Sequence, residues 1–178
     1  MLDKNQDINA INNSKAAGRD LIDNSTNYFV ESIKHESAIA KILMGFLDIV
    51  TDVKYEKPDT VEYTIEDKID HNHLTKYKDF FDEYMENYNL VQHKISTIQE
   101  EEPSFENRLI SHIKNKYIKY YNNQMHSDNI LSKIIDDVEQ ELKNHSTLPL
   151  EDIISVHYVV FYVFARCKIF EKPKKSQK

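Results

Sequence analysis

The chain has 178 residues and a mass of 21.1 kDa, which suits one domain that buries roughly 70% of its unfolded surface. Only 2 Gly and 4 Pro accompany 30% charged and 40% hydrophobic residues, too few turn-forming residues for a sandwich or barrel of many hairpins. The single cysteine, Cys167, excludes an internal disulfide and a cysteine-rich zinc site. No apolar run approaches the roughly 20 residues of a membrane span, so we expect a soluble cytoplasmic protein.

The net charge of −7 is unevenly distributed along the chain. Residues 166–178 carry six Lys or Arg against one Glu, so this end is +5 and the remainder is −12. A protein that clamps duplex DNA would spread its basic residues over one face, so we expect no direct nucleic-acid contact by the body of the chain. The basic end alone could contact phosphate. We also expect no membrane contact. We predict that residues 173–178 form a basic disordered tail.

Residues 1–26 are rich in Asn, Asp and Lys and lack a helical period, which predicts an extended N-terminal arm. Gly18 stands in this arm where a turn or a close backbone approach would need it. The Lys-Ser or Lys-Thr pair of a phosphate-binding loop does not follow it, so an ordinary loop is the simpler interpretation. Residues 27–172 are predicted to form an all-α bundle of five or six helices.

The first predicted helix covers residues 27–50, where apolar residues recur every three or four positions. Gly45 weakens this helix, which favours close packing of another segment over a simple kink. The proline-containing stretch 54–61 breaks the period and is predicted to be a linker.

The most regular segment of the chain follows this linker and carries apolar residues in alternating steps of three and four. This heptad seam predicts one long helix packed inside the bundle, or alternatively a surface for self-association. Its residues are Leu74, Tyr77, Phe81, Tyr84, Tyr88, Val91, Ile95 and Ile98.

Three further helices are predicted beyond Pro103. Ser104 is placed to cap the first of them, Ser127 is placed to cap the second, and Pro149 suits the first turn of the last. The last helix, residues 150–170, is apolar almost all round between positions 156 and 164. Such a helix must be surrounded by others, so we expect it at the centre of the bundle.

The densest group of possible metal ligands lies between positions 66 and 73. Imidazole and carboxylate together suit zinc, manganese or iron, but on a helix His71 and His73 point about 200° apart and cannot share an ion. Thr64 and Asp67 form a capping pattern there, so a solvated helix start is the preferred interpretation and we expect no metal or other cofactor. The group comprises Glu66, Asp67, Asp70, His71 and His73.

Arg108 and His112 lie four residues apart on one helix face. Two such pairs in a dimer would resemble a HEPN-type ribonuclease site, although that family places four to six residues between Arg and His and this chain has three. His157 in the apolar last helix is interpreted as a hydrogen-bonded core histidine. Cys167 lies beside Arg166 and Lys168, which could lower its pKa, but a buried free cysteine is the more common situation.

Two stretches together resemble a known helical domain. Residues 63–74, continuing into Tyr77 and Lys78, resemble the Ile-x-x-Lys-Ile-x-x-Asn-x-Leu start of a domain found at the C-terminus of many effectors of bacterial ABC-three-component conflict systems. Residues 157–173 are similar to its closing helix with a terminal Cys, and residues 17–20 resemble a short segment that often precedes it.

The resemblance implies a non-catalytic adaptor in an anti-phage system, such as one of Lamassu type, in which an SMC-like ABC ATPase controls an effector nuclease. The chain carries no effector domain of its own, which implies a separate subunit. On this hypothesis the arm and the basic end contact the partners. The predicted partner-binding residues are Gly18, Arg19, Asp20, Arg166, Lys168 and Phe170. A self-associating regulatory protein and a HEPN-like ribonuclease are the alternatives.

Overall fold

The computed structural model describes residues 24–50, 63–121, 124–166 and 169–173, with side chains from residue 37 onward. Most of the predicted arm, the linker 54–61, Cys167, Lys168 and the end of the basic tail lie outside the described residues. The chain divides into two compact units, residues 1–34 and 35–178. In the first unit the described residues are helical, and the paragraphs below concern the second.

The described part of the chain is all-α, as predicted. Five longer helices correspond to the predicted bundle, and three short ones of seven, five and four residues connect them. Of the helices described, none combines the length and apolarity needed to cross a membrane. The helices are α1 Asn24–Ile49, α2 Ile65–His71, α3 Thr75–Asp79, α4 Phe81–Gln99, α5 Phe105–Tyr120, α6 Ser127–His145, α7 Leu150–Ile153 and α8 Val156–Ala165.

Helix α8 is the central helix of the bundle. All of its residues except His157 are buried, and it packs against α4, α5 and α6. This confirms the position expected from its apolar sequence. The ring of His157 packs against the rings of Tyr84 and Tyr158.

The predicted helix 150–170 begins at Leu150 as expected, but it is not continuous and it ends early. It is interrupted at Ile154 and Ser155, where Asp152 turns its carboxylate to Lys41 Nζ of α1 at 2.7 Å. It also ends early, at Ala165, because the carbonyl of Phe164 accepts a hydrogen bond from a side chain of α2. At the early end, a side-chain donor from α2 therefore occupies a carbonyl that a continued helix would use.

The heptad seam is buried inside the bundle, but it does not lie on one continuous helix. Tyr84, Val91 and Ile95 face α8, which confirms internal packing of the seam. A break at Phe80 separates α3 from α4. Tyr77 and Tyr84 would stand about 10 Å apart along one helix axis, whereas their ring centroids are 4.7 Å apart. The break at Phe80 accommodates this close ring contact.

The predicted starts of α2, α5, α6 and α7 are correct to within one residue, whereas α1 begins at Asn24, three residues before its predicted start. Thr64 Oγ1 accepts from the Asp67 amide at 3.1 Å while the Thr64 amide donates to Asp67 Oδ2 at 3.0 Å, so the predicted capping box is present. Ser104 occupies its N-cap position without a side-chain hydrogen bond. Ser127 is not a cap, because His126 takes that position and accepts from the Asp128 amide. Pro149 is the N-cap of α7 and not a first-turn residue.

Gly45 lies where another segment packs closely on α1, as predicted. A Cβ atom at this position would stand 3.1 Å from Leu142 Cδ2 of α6 and 3.5 Å from Leu148 Cδ1. The close neighbours are leucine side chains.

Candidate interaction site where α2 meets the segment after α8

A buried lysine joins α2 to the end of α8. Ile65 and Ile69 define the apolar face of α2, and Lys68 falls between them on the buried side, with 1% of its surface exposed. Its Nζ donates to the carbonyls of Phe164 at 2.6 Å and Ile169 at 2.7 Å. It also lies 4.3 Å from the centroid of the Phe164 ring. Contacts with the negative C-terminal end of α8 and with an aromatic face thus replace the hydration of the ammonium.

Asn72, one turn further, holds the next residues of the same segment. Its Nδ2 donates to the Glu171 carbonyl at 2.8 Å and to the Lys68 carbonyl at 2.8 Å, and its Oδ1 accepts from the Glu171 amide at 3.0 Å. A single amide side chain therefore satisfies both backbone polar groups of Glu171, as a neighbouring strand would.

Phe170 takes the left-handed backbone conformation between these anchors, with φ 63°. This conformation costs a non-glycine residue roughly 1 kcal/mol or more, so the surrounding contacts must stabilise it. Its ring lies 5.0 Å from the Tyr117 ring and 5.9 Å from the Phe164 ring. Burial of this ring turns the chain so that Glu171 returns toward α2.

A pocket of about 290 Å³ opens where these segments meet, and we call it the junction pocket. One wall is aromatic, because the ring of Tyr117 lies 5.5 Å from that of Tyr121 and 5.0 Å from that of Phe170. The other wall is polar and comes from the end of α2 and from Glu171. The lining of the pocket includes His71, His73, Tyr117, Tyr121, Phe170 and Glu171, with Met125 and Ile130 from α6 and the residues before it.

The Glu171 carboxylate is the charged group of this pocket, and its side chain is 65% exposed. Its Oε2 lies 3.6 Å from His71 Nε2 and its Oε1 lies 3.5 Å from the Tyr121 hydroxyl. Both distances exceed those of good hydrogen bonds, so the oxygens retain acceptor capacity. Burial, with added repulsion from Tyr121 and Glu171, raises the pKa of Tyr117 to about 12. Tyr117 is therefore a neutral phenol in the wall.

The predicted partner-binding residues divide into two groups. Gly18, Arg19, Asp20 and Lys168 lie outside the described residues. Arg166 caps α8 and its Nε donates to Glu106 Oε1 at 3.0 Å, while Tyr162 donates to the same oxygen at 2.6 Å.

Phe170 is 9% exposed and belongs largely to the core. It also lines the junction pocket. A role of Arg166 and Phe170 in partner binding stays a prediction.

The acidic and histidine-rich stretch 66–73 is a helix start followed by a tight turn. Glu66 and Asp67 lie in the first turn of α2, His71 ends it, and His73 adopts a positive φ of 53°. Asp70 pairs with Lys78 Nζ at 2.8 Å. In the described part of the chain, no three His, Cys, Asp or Glu residues are grouped so that they could hold a metal ion.

Arg108 and His112 both project from α5, but each is engaged by a different carboxylate. Arg108 Nη2 lies 3.1 Å from Glu102 Oε2, and His112 Nε2 lies 2.8 Å from Glu141 Oε2. Lys116 Nζ approaches the same Glu141 oxygen at 2.7 Å. The pair is thus divided between two ion-pair groups.

Sequence reasoning missed the structural roles of Lys68, Asn72 and Glu171. The signal for Lys68 was its place between Ile65 and Ile69, on the apolar face of a short helix. No comparable signal pointed to Glu171, since its role depends on a side chain 99 residues away.

Comparison with known proteins identifies the family. Residues 40–171, well over half of the chain, match the family described as C-terminal domain 10 of the ABC-three component (ABC-3C) systems. No curated protein and no solved structure shows significant similarity. The match includes α2, α8 and the segment that Lys68 and Asn72 hold against them, whereas residues 17–20 lie outside it. The chain therefore belongs to the C-terminal domain 10 family of the ABC-three component systems.

Proposed function

We propose that this protein is a non-catalytic adaptor subunit of an anti-phage defence complex and links a nuclease-like effector to an SMC-like ABC ATPase. Family membership supports this proposal, because ABC-three component systems are multi-component assemblies and membership is consistent with a component of a defence system.

The observation that carries the proposal is the structural role of Lys68 and Asn72, the two polar residues of the Ile-x-x-Lys-Ile-x-x-Asn-x-Leu stretch. Both donate hydrogen bonds to backbone carbonyls at the end of α8 and in the segment after it. They thereby fix a surface pocket instead of presenting reactive groups in a cleft. A domain whose characteristic polar residues hold a surface in shape is suited to binding.

The ribonuclease alternative receives less support from the side-chain geometry. A general base must be free to take a proton from its substrate, and the His112 imidazole is 19% exposed and bonded to Glu141. Arg108 is directed to Glu102 and not to the same point in space as His112.

The test is affinity purification of the tagged full-length chain from its native host, followed by mass spectrometry. Recovery of an SMC-like ATPase together with an effector, at fixed stoichiometry by light scattering, is the expected result. Recovery of neither protein would overturn the adaptor proposal. Cleavage of RNA by the purified chain, abolished in His112→Ala, would establish the ribonuclease instead.

The predicted arm contact has its own test. Replacing Arg19 and Asp20 together by alanine is expected to weaken co-purification of the partner while the helical circular dichroism signal is unchanged. Unchanged co-purification would remove the arm from the contact surface.

A further inference from the structure

We propose that the junction pocket binds an arginine side chain of a protein partner, and this inference rests on the adaptor function proposed above. The aromatic wall is the first part of the argument. Tyr117 and Phe170 are packed together, and Tyr121 adds an aromatic ring that is 49% exposed. Aromatic faces attract cations within about 6 Å of the ring centroid, and a planar guanidinium also stacks on them.

The carboxylate is the second part of the argument. Asn72 fixes Glu171 through both of its backbone polar groups, so the side chain leaves the backbone at a defined point on the pocket rim. Its two long contacts, to His71 and Tyr121, leave acceptor capacity for a donor from outside. A guanidinium can donate two parallel hydrogen bonds to such a group.

Charge favours a cation over a phosphate. Among the described lining residues there is no Lys or Arg, and the one carboxylate would repel an anion. The chain as a whole, including its basic end, has a net charge of −7, which favours a basic partner over nucleic acid.

Size limits what can enter. The volume of about 290 Å³ lies just below the roughly 300–1,000 Å³ typical of small-molecule sites. A single long side chain fits this space better than a nucleotide does. An arginine buried between aromatic rings and a carboxylate is also a common centre of binding energy at protein interfaces.

The experiment uses two capped tripeptides, Gly-Arg-Gly and its neutral citrulline counterpart, added to the full chain and followed by NMR. The arginine peptide is expected to shift the signals of Tyr117, Tyr121 and Glu171 in a saturable way, and the citrulline peptide is not. Glu171→Gln and Tyr121→Leu should each weaken binding at least fivefold. Both residues are exposed, so these variants are expected to fold.

A double variant of two exposed residues on and beside α7, Leu150→Ser with Ile154→Ser, is the matched control and should bind the peptide as the wild type does. Equal binding of both peptides, or unchanged binding by Glu171→Gln, would overturn the pocket proposal.

Co-purification distinguishes failure of the pocket proposal from failure of the adaptor proposal. If the ATPase and effector accompany wild type and Glu171→Gln equally, the adaptor function stands and the arginine pocket fails. If the peptide binds as expected but no partner accompanies the wild type, the adaptor function fails.

Discussion

The ammonium of Lys68 lies 2.7 Å from the carbonyl oxygen of Ile169, 101 residues further along the chain. This contact attaches α2 to the segment that follows α8, the central helix of the bundle. A buried ammonium is costly to desolvate, and here two carbonyls and one aromatic face compensate it.

Replacing Lys68 by methionine keeps most of its volume but removes the charge. The carbonyls of Phe164 and Ile169 then lose their donor in the core, so the free energy of unfolding should fall by about 2–4 kcal/mol. Urea denaturation measures this change. Lys78→Met is the control, because Lys78 is 66% exposed and should leave the urea midpoint unchanged. Equal effects of the two substitutions would contradict a bridging role for Lys68.

Asn72→Ala tests whether the junction is held by one side chain. The amide of Glu171 loses its acceptor, so its hydrogen exchange should accelerate at least tenfold in NMR, while amides within α8 keep their protection. Asn87→Ala is the matched control, since the Asn87 amide group bonds only to Glu83 of its own helix among the contacts described. Unchanged protection of Glu171 would show that the segment is held by other contacts.

Local patterns predicted most of the helices and one cap correctly. The capping box at Thr64 and the buried face of α4 need only residues a few positions apart, and such short-range patterns are visible in a sequence. The burial of residues 156–165 followed from their apolar composition for the same reason.

The helix breaks could not be predicted from local patterns, because long-range contacts accompany them. At the interruption at Phe80, Tyr77 packs on both Tyr84 and Phe161, and a sequence does not show which ring meets which. The early end of α8 depends on Lys68, whose charge by itself indicates an exposed position. The candidate site was missed for this reason, since each of its anchors joins residues about 100 positions apart.

Gly45 tests the close contact between α1 and α6. Alanine would gain about 1 kcal/mol of helix propensity, but its Cβ would lie 3.1 Å from Leu142 Cδ2. Because these terms oppose each other, Gly45→Ala should change the free energy of unfolding by less than about 1 kcal/mol. Gly45→Leu should cost about 2 kcal/mol or more, since a whole side chain must be accommodated.

A double-mutant cycle by urea denaturation identifies the partner. In a Leu142→Ala background the contact is absent, so Gly45→Ala should become clearly stabilising. Additive effects of the two substitutions would show that Leu142 does not limit the space at Gly45.

The contacts of Glu141 with Lys116 and His112 predict part of the loss of folding stability in acid. Burial by itself would raise the pKa of Glu141, but hydrogen bonds from Lys116 and His112 outweigh it and hold the pKa below the ordinary value of 4.5. The resulting stabilisation is present above pH 4.5 and is lost as pH falls through the lowered pKa. Glu141→Gln should therefore be less stable than the wild type at pH 7, and the two should converge in acid. Urea midpoints measured from pH 7 to about pH 3 would contradict this if the curves stayed parallel.

Tyr77 and Tyr162 are both buried, and removing the hydroxyl group should change the free energy of unfolding in opposite directions at the two positions. In the described part of the chain, the Tyr77 hydroxyl is buried without a hydrogen-bond partner, whereas that of Tyr162 donates to Glu106 at 2.6 Å. Tyr77→Phe removes an unsatisfied polar group and should raise the free energy of unfolding by about 1 kcal/mol. Tyr162→Phe, its matched control, removes a bond to a carboxylate and should lower it by about 1.5–3 kcal/mol. Urea denaturation distinguishes the two, and destabilisation by Tyr77→Phe would reveal a partner for that hydroxyl, such as a buried water.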